Sequence, residues 1–218
     1  MRICIVICLI ATAVGPLNAR ELTPSELLAQ AIYVSDRPLP PLSAENYTEV
    51  VAILRGAAKG KQRMIGSSLL SQGRCLFILI NAGDQPTIDY FMEVFLRSRG
   101  KVSFAFDVFR RTKQPLLIPH LAKALPDTRF SSQVVEGDIV YGSFPGMSAR
   151  GILHVISNST AFPFATRATA SHYLQHLPTD EKLAAGLRDW WSINKQHFDR
   201  RAYTDVSPLP EIEIPKEL

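Results

Sequence analysis

Cysteine is scarce in this sequence. Of three cysteines in 218 residues, Cys4 and Cys8 lie in an N-terminal apolar run and only Cys75 lies beyond it. If this N-terminal run is removed as a signal peptide, Cys75 alone remains and cannot form a disulfide within the chain, so the fold must depend on core packing. Because Cys75 opens the apolar run Cys-Leu-Phe-Ile-Leu-Ile, we expect a small core residue rather than a reactive thiol.

A strong charge of one sign and a long hydrophobic run are also lacking. Lysine and arginine number 24 against 20 aspartates and glutamates, which gives a formal net charge of +4. This excess is too small to indicate a nucleic-acid partner. The apolar run from Ile3 to Val14 is shorter than the ~20 residues that a membrane-spanning helix needs. We therefore predict no stable membrane span once the N-terminal segment is removed.

The first 19 residues have the layout of a secretory signal peptide. Arg2 precedes the apolar run, and Gly15-Pro16 and small residues lead to Ala19, after which we expect cleavage. A buried N-terminal helix is the alternative. The predicted organisation is a signal peptide over 1–19, a helical repeat domain over 20–203 and an extended, proline-containing tail over 204–218. We expect an exported protein that is periplasmic or secreted.

Helical periodicity and helix start signals dominate the remaining chain. A capping box at Thr23-Pro24-Ser25-Glu26 predicts a first helix, and a second is expected from about Ser43 to Ala58. The apolar run 75–80 fits either a buried strand or a buried helix, and 134–141 can form a small hairpin. We predict an all-α fold, with α+β as the alternative. A third helix is expected from Met64 to near Gly73, and others at 86–97, 104–111, 115–125, 147–156, 164–177 and 180–198.

The helices pair as antiparallel hairpins of about 35–45 residues, the period of HEAT-type repeats. The segment Gln114–Asp127 resembles the second helix of such a repeat. The helix at Ile152–Ile156, the aromatic loop that follows it and the tryptophan-bearing helix over 187–198 are similar to the way exported bacterial HEAT-like proteins end. The resemblance, strongest over 114–198, implies a short α-solenoid of antiparallel helix pairs whose last helix closes the stack.

The candidate interaction residues lie on that last helix. Trp191, Lys195 and Phe198 fall near one another at helical spacing, and Trp190 adds a second indole. An end repeat needs large anchors on one face, so we expect these four residues to form a terminal cap. The alternative is an exposed tryptophan pair that serves as a platform for a sugar or a partner protein.

Two patterns approach catalytic or metal-binding motifs without matching them. His172 and His176 lie one helical turn apart, a spacing that suits zinc, but Tyr173 stands where a metalloprotease has glutamate and no third ligand accompanies them. In the stretch 142–146, Gly-Ser-Phe-Pro-Gly, the serine is off-centre for a nucleophile elbow. We predict ordinary helical histidines and a loop, respectively.

Carboxylate pairs occur at Glu136/Asp138 and at Asp180/Glu181. The second pair opens a helix that Thr179 can cap, so helix stabilisation explains it. No phosphate-binding glycine loop occurs, and we predict no cofactor.

We therefore expect a non-catalytic helical-repeat protein that binds another protein, as an inhibitor or immunity module in the cell envelope. The alternative is a small envelope hydrolase or carbohydrate-binding module using the Trp190/Trp191 region with Glu136, Asp138 or a histidine.

Overall fold

The computed structural model describes residues 44–59, 64–65, 68–69, 72–100, 105–127, 130–135, 138–176 and 178–214. The predicted signal peptide and the first predicted helix lie outside the described residues. The described helices are α1 Ala44–Ala58, α2 Gln72–Asn81, α3 Gln85–Arg97, α4 Ala105–Arg111, α5 Ile118–Ala122, α6 Phe144–Asn158, α7 Phe164–His176 and α8 Asp180–Asp199, with 3-10 helices at Pro115–Leu117 and Tyr203–Asp205.

The fold is all-α, as predicted. Two small antiparallel hairpins accompany the helices: β1 Met64–Ile65 pairs with β2 Ser68–Leu69, and β3 Phe130–Val135 pairs with β4 Asp138–Ser143. In the second hairpin Phe130 stands opposite Ser143 and Val135 opposite Asp138, so the hairpin that the sequence left open at 134–141 does form. The solenoid arrangement of the helices stays a prediction.

The ambiguous run from Cys75 to Ile80 is helical. All six residues belong to α2, and all six side chains are buried in the core. Because no polar residue marks an exposed face, the sequence has no periodicity that would distinguish a helix from a strand. Cys75 is fully buried, as predicted for a core residue, and burial raises the pKa of its thiol to about 11. A thiol with so high a pKa is protonated at neutral pH and is a poor nucleophile.

Three local predictions were wrong. Residues 64–70 contain β1 and β2 instead of a helix, because Gly66, Ser67 and Ser68 interrupt the apolar pattern with residues of low helix propensity. The expected helix over 115–125 is a 3-10 turn followed by α5, because Pro119 in the first turn of α5 has no N–H with which to continue a preceding helix.

The third correction concerns the stretch 142–146, which is no loop. Ser143 ends β4 and caps α6, and its Oγ accepts a hydrogen bond of 3.0 Å from the Gly146 N–H. Pro145, which argued against a nucleophile elbow, lies in the first helical turn, where no backbone N–H is needed. The helix α6 therefore begins three residues before the predicted start at Met147.

Helix α6 is the centre of the fold and packs against α4, α5, α7 and α8. An added Cβ at Gly151 would lie 3.2 Å from Leu121 Cδ1 and 3.3 Å from Phe109 Cδ2, so the missing side chain allows close packing there. Edge-to-face rings join the neighbouring helices, with Phe95 of α3 and Phe109 of α4 5.1 Å apart between centroids. A helix that is buried on nearly all sides must come from a largely apolar sequence, as Gly-Ile-Leu-His-Val-Ile does.

Charged contacts join the ends of helices. Asp84 caps α3, accepts a 3.2 Å hydrogen bond from the Thr87 N–H, and pairs with Arg55 of α1. Burial acts to raise the pKa of Asp84, but the hydrogen bonds from Arg55 and Thr87 and the Arg55 charge outweigh it and hold the pKa below its usual value. The Asp84 carboxylate is therefore charged, and its ion pair with Arg55 joins α1 to the start of α3.

A similar junction joins α6 and α8 at their N-termini. Asp180 pairs with the Arg150 guanidinium and accepts a 2.8 Å hydrogen bond from the Ser143 N–H. An added Cβ at Gly146 would lie 2.1 Å from the Asp180 Cγ, so only glycine permits this approach. The sequence predicted only that Asp180 stabilises the N-terminus of α8 through the helix dipole. In the structure Asp180 also joins α8 to α6.

Replacing Asp180 by asparagine tests this junction. We expect Asp180→Asn to lower the free energy of unfolding by about 2 kcal/mol, since Arg150 is left without its counter-charge in a mostly buried position. The exposed Glu181 lies in the same helical turn, and Glu181→Gln removes the same charge from the helix dipole. Measured by urea unfolding, Glu181→Gln should lower the free energy of unfolding by at most about 0.5 kcal/mol. Equal losses in the two variants would contradict a stabilising role of the Asp180–Arg150 pair.

Candidate functional site

The C-terminal segment lies along α7 and α8 in the extended conformation that the sequence predicts. We call residues 206–214 the tail and the surface formed by Tyr173, Gly186, Trp190 and Asn194 the tail groove. Tyr173 belongs to α7, and the other three residues belong to α8. The predicted tail boundary at 204 falls within the short 3-10 helix that precedes this segment.

Every third residue of the tail is buried. Val206, Leu209 and Ile212 lie against the protein, whereas Pro208 and Glu211 are exposed. A period of three residues is that of the polyproline II helix. The backbone of Val206, with φ −65° and ψ 136°, lies in the same region of dihedral space. The tail therefore presents one apolar edge of a polyproline-type helix to the groove.

Two side chains of α8 hold Ser207 by its backbone. The Trp190 indole Nε1 donates to the Ser207 carbonyl at 2.9 Å, and the Asn194 Oδ1 accepts from the Ser207 N–H at 2.6 Å. Asn194 is itself fixed, because its Nδ2 donates to the Trp190 carbonyl at 2.8 Å within α8. The amide orientation is thus set before the tail is bound.

Tyr173 holds the tail at a second point. Its hydroxyl donates to the Pro210 carbonyl at 2.7 Å and accepts from the Ile212 N–H at 2.9 Å. An added Cβ at Gly186 would lie 3.0 Å from Ile212 Cδ1, so glycine opens the surface where that side chain sits. These bonds satisfy the Pro210 and Ile212 backbone groups in an extended segment that pairs with none of the strands the structure describes.

An exposed ion pair marks the far end of the tail. The Lys182 Nζ lies 2.5 Å from a carboxylate oxygen of Glu213. The hydrogen bond from Lys182 and its charge lower the pKa of Glu213. Both side chains are exposed, so the pair contributes orientation more than stability.

The structure brings three of the four candidate residues into one aromatic cluster. Trp190 is only 3% exposed and Phe198 is buried, while Trp191 is half-buried with its ring centroid 5.1 Å from that of Phe198. Lys195 is exposed on the same helix. The Phe198 ring also meets Phe162 at 6.1 Å and Tyr203 at 5.5 Å.

The other candidate groups do not converge. His172 and His176 are exposed with ring centroids 4.6 Å apart, and within the described residues no group of three or more His, Cys, Asp or Glu side chains could hold a metal ion. Asp138 begins β4, and Glu136 lies outside the described residues. Asp180 is engaged by Arg150.

Sequence reasoning missed Tyr173 and Asn194, which make three of the four hydrogen bonds to the tail backbone. An aromatic and an amide on a helix carry no distinctive motif. The available signal was in the tail, where apolar residues recur at every third position among prolines.

Comparison of the chain with models of protein families, with curated proteins and with solved structures found no match. Among the helices that the structure describes, none combines the length and the apolar character needed to cross a bilayer.

One titratable group on α6, His154, has a strongly shifted pKa. Burial, with the charges of Arg110 and Arg150, lowers the pKa of His154 from 6.5 to about 4. In the folded protein His154 is therefore neutral at physiological pH, and it faces a positive environment in which a proton is disfavoured.

This shift predicts a loss of stability in mild acid. The unfolded chain binds the His154 proton near pH 6.5, so the stabilisation present above that pH is lost as the pH falls toward 4. By linkage, the free energy of unfolding should drop by about 2 kcal/mol more in the wild type than in His154→Gln between pH 7.5 and pH 5. Urea unfolding at both pH values measures this, with exposed His172→Gln as the control. An equal pH dependence in wild type and His154→Gln would contradict the shift.

Proposed function

We propose that this protein is an exported, non-catalytic helical module that binds another protein, in the manner of an inhibitor or immunity protein of the cell envelope. The observation that carries the proposal is the tail groove, in which helix side chains bind an extended polypeptide by its backbone. A surface that satisfies peptide N–H and C=O groups has the chemistry that protein recognition requires.

Exposed apolar side chains on α7 and α8 support the same role. Phe164 on α7 is 77% exposed and Ile193 on α8 is 62% exposed, so large apolar side chains are available on both helices. The Arg167 guanidinium lies 5.7 Å from the centre of the Phe164 ring, and aromatic and arginine side chains are enriched at protein interfaces. The layout of residues 1–19 supports export, and the resemblance to HEAT-like proteins supports binding over catalysis.

Site-specific photo-cross-linking in the native envelope tests the proposal. With a photoreactive residue at Phe164 or Ile193 of the full chain, we expect one defined protein adduct that survives stringent washing. A photoreactive residue at the exposed Glu93 on α3 is the control and should give no such adduct. For the inhibitor role, the captured protein should lose its activity when mixed with the intact chain. Absence of an adduct at both positions would contradict the function.

The alternative, a carbohydrate-binding module or hydrolase built on Trp190/Trp191, makes a different spectroscopic prediction. Trp190 is buried and its indole N–H is bonded to Ser207, which leaves Trp191 as the indole with an accessible face. Our proposal predicts blue-shifted tryptophan emission that soluble oligosaccharides do not quench. Saturable quenching that disappears in Trp191→Phe would favour the carbohydrate function instead.

A further inference from the structure

We propose that the tail groove is a recognition site for an acidic, proline-containing extended segment of a partner protein, and that residues 206–214 are its resident ligand, which the partner displaces. This inference rests on the proposed function and names the partner's chemistry. The contacts between the tail and the groove show which chemical features a bound segment must have.

The hydrogen bonds of the groove specify a conformation rather than a sequence. All four go to backbone atoms of Ser207, Pro210 and Ile212. Any chain that adopts the same polyproline-type path presents its N–H and C=O groups at the same places. Rigid aromatic donors that bind such a path are a recurring mode of recognition for proline-rich segments.

The apolar and charged contacts specify the side chains. Burial at Val206, Leu209 and Ile212 requires an apolar residue at every third position. Lys182 pairs with Glu213, the residue after the last buried position, and so favours a carboxylate there. Pro208 is exposed, and prolines at such positions lower the entropy lost on binding by pre-forming the extended path. The partner segment is therefore apolar at positions one, four and seven and acidic at position eight.

The tail is attached in a way that allows its release. Helices α7 and α8 both pack on α6, so each has a neighbour in the core besides the tail. The connection from α8 passes through Arg200 and Arg201, both exposed. Arg201, with φ 55°, has the left-handed conformation that ends many helices, and the Ala202 N–H donates to the His197 carbonyl at 2.8 Å. Because this turn is held by α8 itself, it does not require the tail to be bound.

Tethering makes the tail a competitor of the partner. A short linker holds it near its site at an effective concentration on the order of millimolar. A free segment of the same chemistry therefore binds the intact chain more weakly than it binds a chain whose tail has been cut from α8.

Hydrogen exchange on the intact, full-length chain tests release. We expect the amides of Ser207 and Ile212 to be protected, but to exchange at least tenfold faster than the slowest amides of α6, because the tail opens while the helices stay folded. Exchange at the α6 rate would show that the tail leaves only on global unfolding, and would overturn the proposal. Unprotected amides would overturn it too, since no tail would then be bound.

A trans-binding experiment tests recognition. A protease site replaces residues 200–205 in the full chain, which is folded first and then cut, and fluorescence anisotropy follows a labelled peptide with the sequence of residues 204–214. We expect saturable binding, at least tenfold tighter to the cut than to the uncut protein. A peptide with Leu209→Asp and Ile212→Asp should not bind. Unfolding on cleavage, or equal binding of both peptides, would overturn the proposal.

Matched tyrosine variants separate the groove from general stability. Tyr173→Phe removes two tail hydrogen bonds while keeping the ring, and should weaken peptide binding about tenfold. Tyr90→Phe makes the same change at a partly buried ring on α3 and should have no effect on binding. If the two variants bind the peptide with equal affinity, the tail groove is not the binding site.

The outcomes also separate this inference from the proposed function. If the peptide fails to bind but the cross-linked partner forms, the site assignment fails and the function stands. If the peptide binds but no partner is captured, the groove stands and the proposed function fails. If intact chains exchange tails to give a concentration-dependent dimer, a second copy is the occupant and the assignment to a partner protein is overturned.

Discussion

The placement of α6 is the constraint on which the rest of the structure depends. It packs against α4, α5, α7 and α8, so the orientation of the C-terminal helices follows from its faces. Its polar residues must then be accommodated locally: Arg150 reaches Asp180 at the edge, and His154 remains uncharged. The two helices that hold the tail are thus positioned by core packing, and Val206, Leu209 and Ile212 of the tail belong to the same core.

The tail illustrates a second requirement, the satisfaction of a buried extended backbone. In a sheet the neighbouring strand supplies the partners, but here an indole, an amide and a phenol supply them. Each of these side chains has few rotatable bonds, and Asn194 is further fixed by its bond to the Trp190 carbonyl. Pre-organised donors and acceptors lose little entropy on binding, so this arrangement can hold an extended segment without a large apolar interface.

The sequence predicted those parts of the fold that local signals determine. The helix that opens at Asp180 has its start signal at Thr179, whose side chain accepts from the Lys182 N–H as expected. The run from Cys75 to Ile80 had no periodicity to interpret, because α2 buries every one of these side chains. The groove could not be predicted, because Tyr173 and the tail atoms it binds are 37 and 39 residues apart in sequence.

Ser143 and Asp180, which belong to residue types that catalysis uses, have structural roles at helix ends. The Ser143 hydroxyl caps α6, and Asp180 binds both that segment and Arg150. His154 is neutral and lies near positive charge, which disfavours the protonated form that a general base must pass through. The tail groove, by contrast, already performs its chemistry, since peptide groups are bound there by oriented donors and acceptors. This contrast supports our proposal that the protein recognises a polypeptide.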